Sequence, residues 1–474
     1  MANPTGFDFA ANIDRALNDR QLRDNLAFAM GAMIQKRKAV FSDVEALDRL
    51  RTVGNEVRTR ALRKLPDLLE RLEARCTENG IRVHWAETVE QACGIVLDIM
   101  ETRSATRLVK GKSMVSEEMH LNRFLEARGI ESLETDLGEF IIQLAGETPS
   151  HIIVPAIHKN RREIAAIFRD RIPGAPYTEA VEELNAIARK TLREKFLRGQ
   201  VGLSGVNFAV AETGTLCLVE NEGNGRMCTT VPPVHIAVMG LEKVVERLAD
   251  VPPLLRLLTG SATGQLVTTY FNMITSPRRP GEKDGPEEIH LILLDNGRSE
   301  ILADPELRQT LQCIRCGTCL NHCPVYTRIG GHAYGHVYPG PIGEILTPQM
   351  TGLEASGELL TASTLCNACE EVCPVKIPIP ELIRRLRNEA YAARGTVRGH
   401  GYKRNLAEIL VWKAWAFVNR VPALNRLAAR MAGRFGRFLP PVGPLKAWMS
   451  VRTRPAFARR SLFERARSEG VEHE

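Results

Sequence analysis

The sequence predicts an α/β domain, then a compact cysteine-rich helical segment, then a basic helical tail. Three observations carry this. Between residues 67 and 300 strand and helix signals alternate, the texture of a layered α/β fold. Seven of the 11 cysteines crowd into residues 313–373. From Thr396 to Glu474 there are 16 Lys and Arg against 5 Asp and Glu, a net charge of +11, whereas the whole chain carries only +7.

A chain of 474 residues corresponds to about three units of ~150 residues. Its 44% hydrophobic and 25% charged content is ordinary for a globular protein. A chain this long builds a core without disulfide staples, so the cysteines need another explanation. Cys76, Cys93, Cys217 and Cys228 are scattered singly. Local thiol clusters in a long chain bind metal more often than they pair. The opening MANPTGFDFAANIDRALNDR has no apolar signal region and no twin-arginine export signal. The most apolar window, around 405–425, is broken by Glu408, Lys413 and Arg420. The expectation is a cytoplasmic protein in a reducing compartment.

Residues 1–66 read as helical, with Ile13, Leu17, Leu22, Leu26, Met30 and Met33 at roughly helical spacing. Residues 67–300 form the α/β domain. Within it, 85–100 is an amphipathic helix and 107–116 a strand running into a turn. Ser116, ahead of Glu117 and Glu118, is the expected N-cap of the next helix. The β-branched run HIIVP at 151–155 reads as a buried strand, and 178–199 as a long helix. Strands follow at 206–212, 214–220 and 234–240, with turn-rich ENEGNGR between the last two. Strand signals stop near Asp304. Residues 301–395 hold the cysteine motifs, joined by the Gly/Pro-rich GGHAYGHVYPGPIGEILTP. The tail, 396–474, is helical and punctuated by Pro422, Pro440, Pro441 and Pro444.

The first motif is Cys313-x2-Cys316-x2-Cys319-x3-Cys323-Pro324. It matches the bacterial ferredoxin run, in which three closely spaced thiolates wrap one iron–sulfur cubane and the fourth ligates a second cluster. The second motif, Cys366-x2-Cys369-x3-Cys373-Pro374, lacks its first member, for that slot is Ser363. Crossed ligation assigns Cys313, Cys316, Cys319 and Cys373 to cluster 1, and Cys323, Cys366 and Cys369 to cluster 2. The second site is then a 3Fe–4S cluster, or a 4Fe–4S cluster whose last iron takes Ser363, water or another residue. The arrangement resembles the helical two-cluster domain of succinate dehydrogenase iron–sulfur subunits. Zinc with His322, His332 or His336 is the competing reading, but zinc favours ligands in two pairs, not in triplets with Cys-Pro endings. Two neighbouring clusters suit the relay of single electrons.

Other signals are weaker. Gly111-Lys112-Ser113 lacks the first glycine of a phosphate loop, the slot being Thr106. The loop is either an anion site using Lys110 and Lys112 or an ordinary strand–helix turn. No GxGxxG fingerprint follows any strand, so no flavin or nicotinamide site is expected. Glu212, Glu220 and Glu222 flank a glycine turn and are candidates for a cleft. Cys217 reads as a buried thiol. The tail, with Trp412, Trp415, Phe417 and Trp448 among its charges, suits a docking surface for a partner or, at most, peripheral membrane contact. No nucleic-acid motif is present.

Taken in order, VKGKSMVSEE, AETGTLCLVENEG, CIRCGTCLNHCPVY, GGHAYGHVYPGPIG and LCNACEEVCPVKIP resemble the lactate-utilisation protein B family over essentially the whole chain. The resemblance implies that the α/β part is a LUD domain, similar to the sugar-phosphate isomerase and CoA-transferase fold. The segment after it would be an α-helical two-cluster ferredoxin-like domain. It also implies a role as a non-catalytic electron-transfer component in oxidising L-lactate to pyruvate. The implied partners are a glycolate-oxidase-like iron–sulfur subunit and a second LUD protein. The alternative is that the LUD domain is itself the hydroxy-acid oxidising unit, with Lys112, Glu212 or Glu220 in its site.

Overall fold

The computed structural model describes residues 8–391 and, in broken stretches, residues 406–470; Trp448 lies outside the described residues. Residues 1–401 form one compact unit and 402–474 a second.

The first unit is built on a six-stranded, all-parallel sheet. Its strands are β1 (Arg82–Ala86), β2 (Arg107–Lys110), β3 (Glu131–Glu134), β4 (Val201–Gly205), β7 (Val234–Gly240) and β10 (Glu288–Leu294), in the order β1-β10-β7-β4-β2-β3. The central strands VHIAVMG and EIHLILL are near-continuous apolar runs because both their faces are covered. A four-stranded sheet, β8-β5-β6-β9, packs beside it, from β5 (Phe208–Val210), β6 (Thr215–Glu220), β8 (Val244–Val245) and β9 (Tyr270–Ile274). In the large sheet the chain leaves β2 to one side for β3 and returns on the other for β4. That reversal opens a crevice beyond the carboxyl ends of β2 and β4. Gly111-Lys112-Ser113 sits there, with the Gly111 N–H donating to Leu203 O at 2.8 Å.

Two local expectations need correction. HIIVP is not a strand but a folded loop: Ser150 N–H donates to Pro155 O at 3.1 Å. His151 Nδ1 accepts from the N–H groups of Ile153 and Val154 at 3.0 and 3.2 Å. Ile152 is buried and Ile153 and Val154 are half-buried, against the cysteine region and not in a sheet. Second, the single helix expected after Ser116 is two short ones, Met114–Glu118 and Leu121–Glu126, broken at His120 (φ 50°), and Ser113 caps the first, accepting from Ser116 N–H at 3.2 Å.

The N-terminal helices Phe9–Asn18, Arg20–Val40 and Val44–Arg63 share a core with the cysteine segment. Phe9, Leu26, Met30 and Val57 are buried with Cys316, Tyr326, Val375 and Ile383. Arg58 anchors this packing. Its guanidinium donates to the backbone oxygens of Gln312 (3.2 Å), Val244 (3.1 Å) and Leu311 (2.9 Å), and to that of Glu242. A buried guanidinium is tolerated because carbonyls meet its donors.

In the second unit, helices Leu406–Arg420 and Pro422–Phe435 carry exposed Trp412, Trp415, Phe417 and Met431. The two tryptophans meet edge to face at 5.7 Å, and Arg430 pairs with Glu464 at 3.5 Å. Among the described residues no helix is long and apolar enough to cross a membrane.

Candidate iron–sulfur centres

The two cysteine motifs are structural repeats set fifty residues apart. A 3-10 turn over Leu307–Gln312 delivers Cys313, and one over Gly357–Ala362 delivers Ser363. Next come two left-handed residues flanking the second cysteine, Arg315 (φ 61°) and Gly317 (φ 71°) around Cys316, then Leu365 (φ 54°) and Asn367 (φ 65°) around Cys366. One-turn helices, Thr318–Asn321 and Ala368–Glu371, follow with Cys319 and Cys369. Ser363 therefore stands in the structural place of Cys313. Left-handed conformation costs a non-glycine residue about 1–2 kcal/mol, and here it turns the loop inward so that Arg315 N–H meets Cys313 Sγ at 3.4 Å. Gly317 is needed for space as well, since a Cβ there would meet Ile153 at 3.1 Å and the His151 ring at 3.2 Å.

Cys313, Cys316, Cys319 and Cys373 line one cavity, closed by Ile152, Ile342, Val375, Ile377 and Ile379. A thiol from the second repeat thus joins three from the first. Cys373 Sγ accepts from Ile377 N–H at 3.3 Å. Cys323, Cys366 and Cys369 interact electrostatically with one another. Cys323 accepts from Tyr326 N–H at 3.4 Å. Cys366 alone among the seven is exposed.

The surroundings of the two sets differ in charge. Arg58, Lys243 and Arg315 act on Cys313, and Arg37 and Arg51 on Cys316 or Cys373. Arg51 also binds Cys373 O at 2.8 Å and Glu370 O at 3.1 Å. Arg315 pairs with Glu242 (3.2 Å), which holds Arg298 (2.6 Å), which in turn holds Glu118 (2.9 Å). Near Cys323 and Cys369 the ionisable neighbour is instead Glu344, which is fully buried with neither carboxyl oxygen hydrogen-bonded among the described residues. Burial pushes its carboxyl up to about 8.

Burial likewise pushes the thiols up, Cys323 to about 11 and Cys369 to about 12. Such thiols ionise at neutral pH only when a metal takes the thiolate. Soft, buried sulfur donors in triplets, with backbone N–H groups aimed at them, fit iron–sulfur ligation. Two of the three histidines weighed for zinc bond to backbone oxygens. His322 Nδ1 bonds Thr318 O at 2.9 Å, and His332 Nε2 bonds Thr148 O at 2.7 Å and groups with Glu147 and His158.

The four single cysteines are all buried. Burial raises Cys76 and Cys217 to about 12, Cys93 to about 11 and Cys228 to about 12, so none is a ready nucleophile.

In the crevice, Lys110 is fully buried and already neutralised, pairing with Glu117 at 2.8 Å and with Glu134. Burial, and then the charge of Glu134, raise the carboxyl of Glu139 beside them well above the usual range. Lys112 is half-buried and donates to Ile153 O, in the loop whose Ile152 closes the four-cysteine cavity. Glu220 caps the following turn through Gly225 and Arg226 N–H, both 2.6 Å. Glu222 accepts from Leu137 N–H at 3.1 Å. Glu212 is exposed and accepts from Leu248 N–H at 2.9 Å. The Glu117–Lys110–Glu134 triad and Glu139 escaped sequence reasoning because their carboxylates lie on separate elements.

Three family models match the chain. Residues 69–294 match the LUD domain, 309–377 a 4Fe-4S dicluster domain, and 385–471 the C-terminal region of lactate utilisation protein B. Lactate utilization protein B of Bacillus licheniformis is 40% identical over 456 residues, 94% of each chain. The protein of that name from Bacillus subtilis is 38% identical over 487 residues, covering 99% of this chain and all of its own. The uncharacterized electron transport protein YkgF of Escherichia coli is 40% identical over 455 residues, again 94% of each chain.

Proposed function

Because the chain belongs to the lactate utilisation protein B family, we propose that it is the iron–sulfur electron-transfer subunit for oxidation of L-lactate to pyruvate. It would work in the cytoplasm beside a glycolate-oxidase-like iron–sulfur subunit and a second LUD protein. The observation that carries this reading is the convergence of Cys313, Cys316, Cys319 and Cys373 on one cavity, with Cys323, Cys366 and Cys369 grouped beside them. We assign the first four to cluster 1 and the last three to cluster 2. The clusters, when bound, take and release electrons singly.

The chain's own residues set the terms of that traffic. Apolar closure by Ile152, Ile342 and Ile377 excludes water from the first site. Backbone N–H groups and nearby arginines favour the more negatively charged, reduced state there. Exposed Cys366 offers the second site a short way to the surface. Lactate gives up two electrons, so a two-electron acceptor must lie elsewhere in the assembly. Anaerobically purified chain is expected to show cluster absorbance yet negligible lactate–dye activity alone. Robust activity from the isolated chain would sink the reading.

One observation favours a second reading, in which the LUD domain itself holds the hydroxy acid. Lys112 lies at the crevice of the parallel sheet and touches the 151–155 loop that borders the four-cysteine cavity. A lactate carboxylate bound by Lys112 would then sit one loop away from cluster 1. Lactate-driven reduction of the clusters that disappears in Lys112→Met, with iron content unchanged, would favour it.

A further inference from the structure

The second cysteine set is one thiol short, and the structure holds an unassigned acid next to it. Glu344 lies on helix Gly340–Thr351, which packs against the helix Thr318–Asn321 carrying Cys319 and against the turn Gly357–Ala362 that leads to Ser363. Its side chain is 0% exposed and both carboxylate oxygens lack a hydrogen-bond partner among the described residues. Electrostatically it faces Cys323, Cys369 and Tyr334. Arg387 is the cation acting on it, and that guanidinium is spent on the backbone oxygens of Leu360 (2.8 Å) and Ser363 (2.7 Å).

An unpaired carboxylate in such a place is expensive. A typical buried Glu is paired or hydrogen-bonded. The buried hydroxyl of Tyr334, which acts on Glu344 electrostatically, lacks a hydrogen-bond partner among the described residues as well. As a neutral acid Glu344 still leaves two buried oxygens unpartnered, and an iron that the thiols also bind would displace its proton and pair the carboxylate. Ser363 Oγ accepts from Leu365 N–H at 3.2 Å just as Cys313 Sγ accepts from Arg315 N–H at 3.4 Å, so serine and glutamate are rivals for one iron.

We propose that Glu344 supplies the fourth protein ligand of the second cluster, its carboxylate binding the iron that the thiolates of Cys323, Cys366 and Cys369 leave open. The inference rests on the iron–sulfur reading above and goes beyond it by naming the ligand and the cluster type: four irons, one of them bound by oxygen. Such an iron is electronically distinct from its thiolate-bound neighbours.

The test is iron content, EPR and Mössbauer spectroscopy of the full chain, purified anaerobically. The unmodified chain is expected to carry about eight irons, with one Mössbauer subsite marked by oxygen ligation. Glu344→Gln is expected to fall to about seven irons and to show the EPR signal of an oxidised three-iron cluster, while cluster 1 stays intact as an internal control of folding. Glu344→Asp should keep the fourth iron in part, and Ser363→Ala should keep it fully. The proposal is overturned if Ser363→Ala gives the three-iron signal and Glu344→Gln does not. It is equally overturned if the fully loaded unmodified chain already shows a three-iron cluster, or if all its irons are alike. Absence of any cluster absorbance, with zinc bound in its place, would instead remove the parent reading.

Discussion

At the scale of single residues, the assignment that most needs a test is Cys373. It belongs by sequence to the second motif, yet it lines the cavity with Cys313, Cys316 and Cys319. Cys373→Ser is therefore expected to cost cluster 1, about four of about eight irons, and leave the signal of cluster 2. Uncrossed ligation would produce the reverse, and EPR of the reduced variant separates them. The seven thiols were legible because ferredoxin spacing is a local pattern. Glu344 was not legible. It lies 21 positions after Cys323 and 22 before Cys366, inside a stretch whose composition reads as a loop. Only folding shows that it is buried without a partner. The same applies to Arg58, Arg315, Arg298 and Glu242, whose pairing spans much of the chain.

At the scale of elements, one joint between the sheet and the cysteine segment carries a pH dependence. Asp304, just after the last helix of the α/β layer, binds Arg385 on helix Ile379–Tyr391, with Glu306 2.8 Å and Glu389 2.9 Å from the same guanidinium. Burial alone would raise the Asp304 carboxyl, but Arg385 and the N–H groups of Leu307 and Glu306 outweigh it and bring it down to about 2. A folded value below the unfolded one means stability is present above about pH 4 and lost as the pH falls toward 2. Asp304→Asn is expected to remove about 1 kcal/mol of the stability difference between pH 7 and pH 3, read from urea unfolding at those two values. The elements themselves were partly readable. The long helix ending at Arg198 and the strands around Val210, Leu218 and Val238 followed their periodicity. The loop at 151–155 did not, because β-branched apolar residues signal burial without saying against what. Ser116 misled for a similar reason, since Ser113 and Ser116 both satisfy the capping pattern and only Ser113 has the extended backbone (φ −149°, ψ 112°).

At the scale of the whole molecule, the boundary that matters lies beyond the cysteine motifs. Residues 1–401 are one compact unit and 402–474 another. A chain ending at residue 401 is expected to keep its full iron content and thermal midpoint while losing co-purification with partner subunits. Loss of iron on truncation would show that the tail supports the clusters directly. The N-terminal helices read correctly as helices, but nothing in their amphipathic pattern told that their apolar face would cover the cysteine loops.

That covering sets an order of events. Arg51 reaches Cys373 across 322 positions of sequence. At a synthesis rate on the order of 10 residues per second, the helix carrying it waits about half a minute for its partner to leave the ribosome. Until then the apolar flanks of the N-terminal helices have no cysteine loops to cover. Cluster loading is expected to precede closure, since Cys313, Cys319 and Cys373 are buried once the helices have packed.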